Sequence, residues 1–232
     1  MIKYLPISLR VSFAFILCAC LATPSSAQYN FYKYSFGVGT GITLPFADTD
    51  QLIKLSFANH ISTNYYFTPY ISAGVEAQFG EMAGGIKGQG NFSNTFMLIN
   101  WNAKMHLGQF YDRFDRLNSL YWLARGLYAG AGVGFIRNNV TAFNYNGVDI
   151  SGVNHGILFP FNVGLNLYLP DFYERDRWEF NFNMQFVIPL EDKLDGNINP
   201  NSNFNDVYNY FSVGVRYKFG TLGLDKRKGR IK

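Results

Sequence analysis

The chain has 232 residues, of which 48% are hydrophobic, 18% aromatic and only 16% charged, with a formal net charge of +4. Lys3 and Arg10 supply two of those charges, and residues 220–232 hold five bases and one acid, so 28–219 comes to −2 and has no basic surface to offer nucleic acid. Both cysteines, Cys18 and Cys20, lie near the N-terminus, which leaves 28–232 without disulfide or thiolate chemistry.

Lys3 and Arg10 precede the apolar run Val11–Ala22, which is followed by Thr23, Pro24 and Ser25-Ser26-Ala27. A positive start, a short apolar core and a small-residue exit describe a secretory signal over 1–27, cleaved after Ala27. The run is too short for a membrane helix, which needs about 20 apolar residues. Leu17-Cys18-Ala19-Cys20 leaves lipidation at Cys20 as an alternative to cleavage after Ala27. Residues 28–219 are long enough for one domain, and 220–232 form a basic tail, Lys226-Arg227-Lys228-Gly229-Arg230 being its densest charge run.

From residue 31 onward the apolar residues recur with period two, the spacing of a strand with two unlike faces. Phe31–Leu44 carries Tyr34, Phe36, Val38, Ile42 and Leu44 opposite Ser35, Gly37, Gly39, Gly41 and Thr43. Leu55–Phe67 sets Phe57, Ile61, Tyr65 and Phe67 against Ala58, His60, Ser62 and Asn64. Thr68-Pro69-Tyr70 is a tight reversal, since proline presets a turn dihedral. Ile71–Gly80 and Thr95–Leu107 follow, separated by a Gly-rich loop. Gly108–Ser119 reads as a charged turn.

Leu120–Arg137 has only Arg125 and its last residue, Arg137, charged in 18 residues, so a membrane helix competes there. Its glycines at 126, 130, 132 and 134 fall on one face only in period two, which favours a strand. Ile157–Leu169, Trp178–Leu190 and Val207–Phe219 complete the set. Pro160 and Pro189 sit near predicted strand ends, as strand prolines usually do. The predicted loops on one side are 46–54, 81–94, 137–156 and 191–206. Those on the other side, 68–70, 108–119 and 170–177, are shorter on average.

Eight amphipathic strands in even number, behind an export signal, predict an all-β fold: an eight-stranded antiparallel up-and-down transmembrane β-barrel. In lipid an open sheet edge leaves backbone groups unpaired at several kcal/mol apiece, so the sheet must close. The expected place is a bacterial outer membrane, with both termini in the periplasm on the side of the shorter turns. Aromatic residues near the predicted borders, namely Tyr65, Tyr66, Tyr70, Tyr121, Trp122, Tyr168, Trp178, Tyr217 and Phe219, are expected at the lipid–water interface.

Segments 34–46, 71–80, 127–136 and 211–219 resemble the small eight-stranded outer-membrane barrels of the OmpA/OmpX-like superfamily. The closing strand is similar to the signal read by the barrel-assembly machinery, and the resemblance therefore implies that machinery as a partner during biogenesis. The family often ends on this Phe, whereas here Phe219 is followed by thirteen further residues.

The inward charges Glu76, Lys104, Glu179, Arg216 and Lys218 must pair, because an isolated charge in a poorly hydrated lumen is very costly. Strand order puts Glu179 near Arg216 and Lys218, and Glu76 near Lys104. Such pairs serve either as a structural plug or as an ionic gate, and eight strands leave an interior that side chains can fill. His60 and Ser62 share a face, and their spacing resembles that of outer-membrane lipid A deacylases; a catalytic pair would also need an orienting acid, and none is evident.

His106 and His155 lack ligand-spaced companions, so no metal site is expected, and Gly130-Ala131-Gly132-Val133-Gly134 lacks the helix start of a phosphate loop. No cofactor is expected. The sequence therefore predicts a monomeric, non-catalytic barrel with a structural or surface-binding role. It would sit among outer-membrane lipid and lipopolysaccharide and display loops to an extracellular ligand. A lipid A-modifying enzyme and a narrow pore are the alternatives.

Overall fold

The computed structural model describes residues 29–46, 51–86, 90–110, 123–144, 149–173, 175–190 and 207–225. The predicted signal segment, Tyr121, Trp122, the whole loop 191–206 and the basic run 226–230 lie outside them. Nine β-segments are present: β1 (Tyr29–Phe46), β2 (Gln51–Lys54), β3 (Ser56–Thr68), β4 (Ile71–Ile86), β5 (Gly90–His106), β6 (Leu127–Asn144), β7 (Asp149–Pro170), β8 (Asp176–Pro189) and β9 (Val207–Asp225). Only Leu55 separates β2 from β3, and both pair with β4, so they act as one stave of eight.

Every pairing is antiparallel, and β1 pairs with β9, which closes the ring. The stagger can be read from the register. Following paired residues from Tyr34 through Tyr65, Ala73, Ala103, Ala131, Phe161, Phe186 and Asn209 returns to β1 at Leu44, ten residues from the start. Eight strands with that shear require a tilt of about 40° from the barrel axis.

Several local departures have physical causes. In the β6–β7 ladder the partners Gly132/Pro160 and Val133/Phe159 are missing while the register is kept, as expected where proline lacks its N–H. Pro160 therefore interrupts a ladder inside β7 and does not end the strand. At the base of β9, Gly220 has φ +88° and the register with β1 shifts between Tyr32 and Tyr34. A glycine bulge there lets β9 run on to Asp225, so Phe219 is not the last strand residue.

The strand predicted over Leu120–Arg137 begins only at Leu127. Leu123 and Ala124 are helical and Arg125–Gly126 form a turn, because the Gly126 carbonyl accepts from Asn166 while its N–H donates to the Leu123 carbonyl. At the other end β4–β5 and β6–β7 extend as paired strands well past the predicted boundaries, so the loops at 81–94 and 137–156 are largely ladder.

Candidate functional site

The lumen contains two layers of unlike chemistry. In the half nearer the termini, Glu179 on β8 faces Arg216 and Lys218 on the adjacent β9. Arg216 Nη1 donates to Glu179 Oε1 at 2.6 Å and Lys218 Nζ to Oε2 at 3.0 Å, with the Glu179 side chain fully buried. The Tyr66 hydroxyl adds a bond to Oε2 at 3.3 Å. The Lys218 ammonium lies 4.5 Å from the ring centroids of both Tyr66 and Tyr168, which cover it on two sides.

Further up the wall, Glu76 on β4 meets Lys104 on β5 at 3.7 Å and accepts from Gln78 Nε2 at 2.7 Å and Gln185 Nε2 at 3.4 Å. Amides connect the two charge clusters. Arg216 Nη2 donates to Asn181, Asn181 donates to the Tyr128 hydroxyl, and Tyr128 donates to Asn183. Asn183 and Gln185 both donate to Asn162, and Gln185 returns to Glu76. Glycine makes room for these long chains: a Cβ on Gly37 would strike Arg216, and one on Gly164 would strike Tyr128.

Above this layer apolar side chains dominate the lumen, with Asn94 and Asn138 buried among them. Ala58, Met82, Phe96, Leu98, Ile136, Leu158, Val187, Tyr208 and Tyr210 form one buried cluster. The interior is therefore not polar throughout. These residues occupy inward positions toward the loop end.

Outside, the polarity is inverted. Phe36, Phe57, Val133, Phe161, Val163 and Val213 face outwards, Phe57 with 73% of its surface exposed, whereas Glu76, Lys104, Glu179, Arg216 and Lys218 are inside at 4% or less. Water would not hold apolar groups out and five charges in. Hydrocarbon would, and a closed ladder pairs the spanning backbone apart from the break at Pro160. The chain is a transmembrane β-barrel.

Among solved structures the barrel has distant likenesses. The barrel is similar to Neisserial surface protein A, with 14% identity and a TM-score of 0.47 over 80% of this chain and 97% of that one. It is also similar to Ail, the attachment invasion locus protein of Yersinia pestis, with 11% identity and a TM-score of 0.49 over 82% and 99%. OprG from Pseudomonas aeruginosa follows with 8% identity and a TM-score of 0.40 over 82% and 98%. No protein-family model matches the chain, and no curated protein matches its sequence.

The aromatic residues divide. Tyr65, Tyr217, Phe219 and Trp178 face outwards near the terminal side, joined through Tyr34 into a row in which Tyr34–Tyr65 centroids are 5.3 Å apart and Trp178–Tyr217 centroids 4.8 Å. Such rings suit the periplasmic border of the bilayer. Tyr66, Tyr70 and Tyr168 do not belong with them. They are at most 7% exposed. Tyr66 and Tyr168 share the inward parity of Asn64 and Asn166, and Tyr70 packs under Gly108. They line the bottom of the lumen.

His60 and Ser62 both face inwards. The Tyr210 hydroxyl donates to the Ala58 carbonyl, so His60 Nδ1 donates to Tyr210 at 2.9 Å. No hydrogen bond joins His60 to Ser62 among the described residues. His106 is a structural member of the lower layer, its Nδ1 donating to the Tyr70 carbonyl and its Nε2 accepting from Asn166. No cluster of metal-ligating side chains occurs among the described residues. The amide network and the tyrosine floor are not apparent from single strands, since each member looks like an ordinary inward polar residue. Their shared parity with the charged positions is the signal that marks them.

Proposed function

We propose that the protein is a non-catalytic, non-conducting barrel whose role is to hold a rigid extracellular rim at the cell surface for binding. The observation that carries this reading is the two-layer lumen, in which paired charges stack beneath a buried apolar cluster. A conducting pore needs a hydrated path, and an apolar layer across an eight-stranded lumen opposes one. Catalysis through His60 and Ser62 lacks support because His60 is committed to Tyr210, and both residues point away from the lipid that an acyl-cleaving enzyme must reach.

The extended hairpins favour binding at the rim. β6 continues seven residues past Arg137 to Asn144, about 18 Å of projection along the barrel axis. There β4, β5, β6 and β7 remain paired to one another as a stiff wall. Single-channel recording in planar bilayers, together with mass spectrometry of lipid A from expressing cells, tests the proposal. Silence in the recordings and an unchanged lipid A mass are expected. Stepwise conductance, or a lipid A species lacking an acyl chain, would contradict it.

A further inference from the structure

The outward face of β5–β7 is sorted by height. Thr95 pairs with Asn139 and Asn139 with Val153, forming the highest of three rows. One row below, Met97 pairs with Arg137 and Arg137 with His155. Below that stand Ile99, Phe135 and Ile157, then Trp101, whose indole meets the Phe135 ring edge-on at 6.1 Å. From Leu127 to Phe135 every outward residue of β6 is apolar, so Arg137 marks the point where the apolar band ends. Ten residues at this tilt span about 25 Å, the height of a barrel's lipid-facing band. The opposite end of the band carries the periplasmic aromatic row, so Arg137 and His155 lie at the outer-leaflet border.

Both side chains are exposed, and Arg137 makes no ion pair among the described residues. Above the periplasmic rim, it is the only cation pointing outwards among the described residues of β5–β8. Immediately beneath it the wall is dented into a groove of about 420 Å³, lined by Met97, Ile99, Trp101, Phe135 and Ile157, with Arg137 and His155 at its upper edge. A guanidinium fork is matched to phosphate, and the imidazole adds a ring N–H donor beside it.

We propose that this groove is a seat for one molecule of lipid A, the phosphorylated glycolipid of the outer leaflet. Arg137 and His155 take a phosphate, an acyl chain lies in the groove against Trp101 and Phe135, and Thr95 and Asn139 face the sugar. In that lipid the acyl chains hang from a disaccharide whose phosphates flank it at about its own height, so the polar and cationic rows together meet the headgroup and the apolar rows beneath them meet the chains. A phospholipid of the same charge supplies phosphate and chains but no sugar at the height of Thr95 and Asn139. The proposal does not depend on what the extracellular rim binds.

Native mass spectrometry of the full refolded barrel, titrated with lipid A, with enzymatically dephosphorylated lipid A and with phosphatidylglycerol, tests it. The intact barrel should bind lipid A about tenfold more tightly than either of the other two. Replacing both side chains (Arg137→Ser with His155→Ser) should erase that preference, while Trp101→Ala should weaken phosphorylated and dephosphorylated lipid A alike. Because Arg137 and His155 point outwards, the heat-modifiable gel shift of the double variant should equal that of the parent. Equal binding of lipid A and phosphatidylglycerol, or an unaltered preference in a folded double variant, would overturn the assignment.

Discussion

The two halves of the lumen reach the same end, a filled interior, by opposite means. The lower half is built on Glu179, Arg216 and Lys218, whose charges cost several kcal/mol each to desolvate and are held by their mutual geometry with Tyr66, Asn181 and Tyr168 around them. The upper half is built on Phe96, Leu98, Leu158 and their neighbours, which need no partner beyond close contact. The difference teaches that a small membrane barrel can carry a buried ionic layer because the bilayer prevents its cations from leaving sideways. An apolar lid then separates that layer from the outside solvent.

The largest expected effect comes from breaking the ionic half at its centre. Glu179→Gln leaves Arg216 and Lys218 buried without a counter-charge and should cost about 3–5 kcal/mol, read by urea titration of the folded band on a gel. Replacing all three residues with methionine should restore most of that loss. A triple variant as unstable as the single one would mean that the ions contribute net stability.

In the apolar half, Leu158→Ala should cost about 2–5 kcal/mol by the same titration, since Leu158 is fully buried and the surrounding staves cannot close in. A loss below about 1 kcal/mol would show the upper layer to be loosely packed. Lys104→Met should cost less, about 1–2 kcal/mol. Its Nζ is 3.7 Å from Glu76 and makes no hydrogen bond, while Glu76 keeps the Gln78 and Gln185 amides. A cost equal to that of Glu179→Gln would remove the distinction between the two charge clusters.

The smallest effect concerns a charge outside the membrane. Asp171, in the turn between β7 and β8, is partly desolvated, which alone would raise its carboxyl. Bonds from the Arg175 and Tyr173 amides and the Arg175 guanidinium outweigh this and hold it below the usual carboxylate range. With the folded value depressed, its contribution is present above the unfolded value of about 3.9 and is lost as pH falls through the folded one. Amide exchange at Tyr173 and Arg175 should accelerate only below about pH 4, and Asp171→Asn should accelerate it at neutral pH. Exchange indifferent to both changes would place the turn's stability elsewhere.

Much of the barrel could be read from period two alone. Trp178–Leu190 alternates so cleanly that its faces, its partner β9 and the neighbour relation of Glu179 to Arg216 follow from order along the chain. The upper layer was harder to see because Phe96-Met97-Leu98-Ile99 and Ile157-Leu158-Phe159 are apolar on both faces, and such runs carry no alternation. The same runs, taken together, are the trace of an apolar interior.

The long hairpins were hidden by Gly and Asn, which suit turns yet here remain in the ladder. Tyr66 and Tyr168 were misplaced at the interface because closeness to a strand end outweighed parity, although parity alone puts them inside. The network of Asn181, Tyr128, Asn183 and Asn162 joins β6, β7 and β8, and no single strand reveals which amide meets which.

The inside-out arrangement is tested most directly along β8. The two cysteines of the chain lie within residues 1–27, so single cysteines can be placed from Trp178 to Ile188 in the refolded barrel and labelled with a fluorophore in bilayers carrying a lipid-borne quencher. Strong quenching is expected at Phe180, Phe182 and Phe186 and weak quenching at Asn181, Asn183 and Gln185. Quenching that is uniform along the strand, or stronger at the asparagines, would contradict a barrel with lipid outside and charge within.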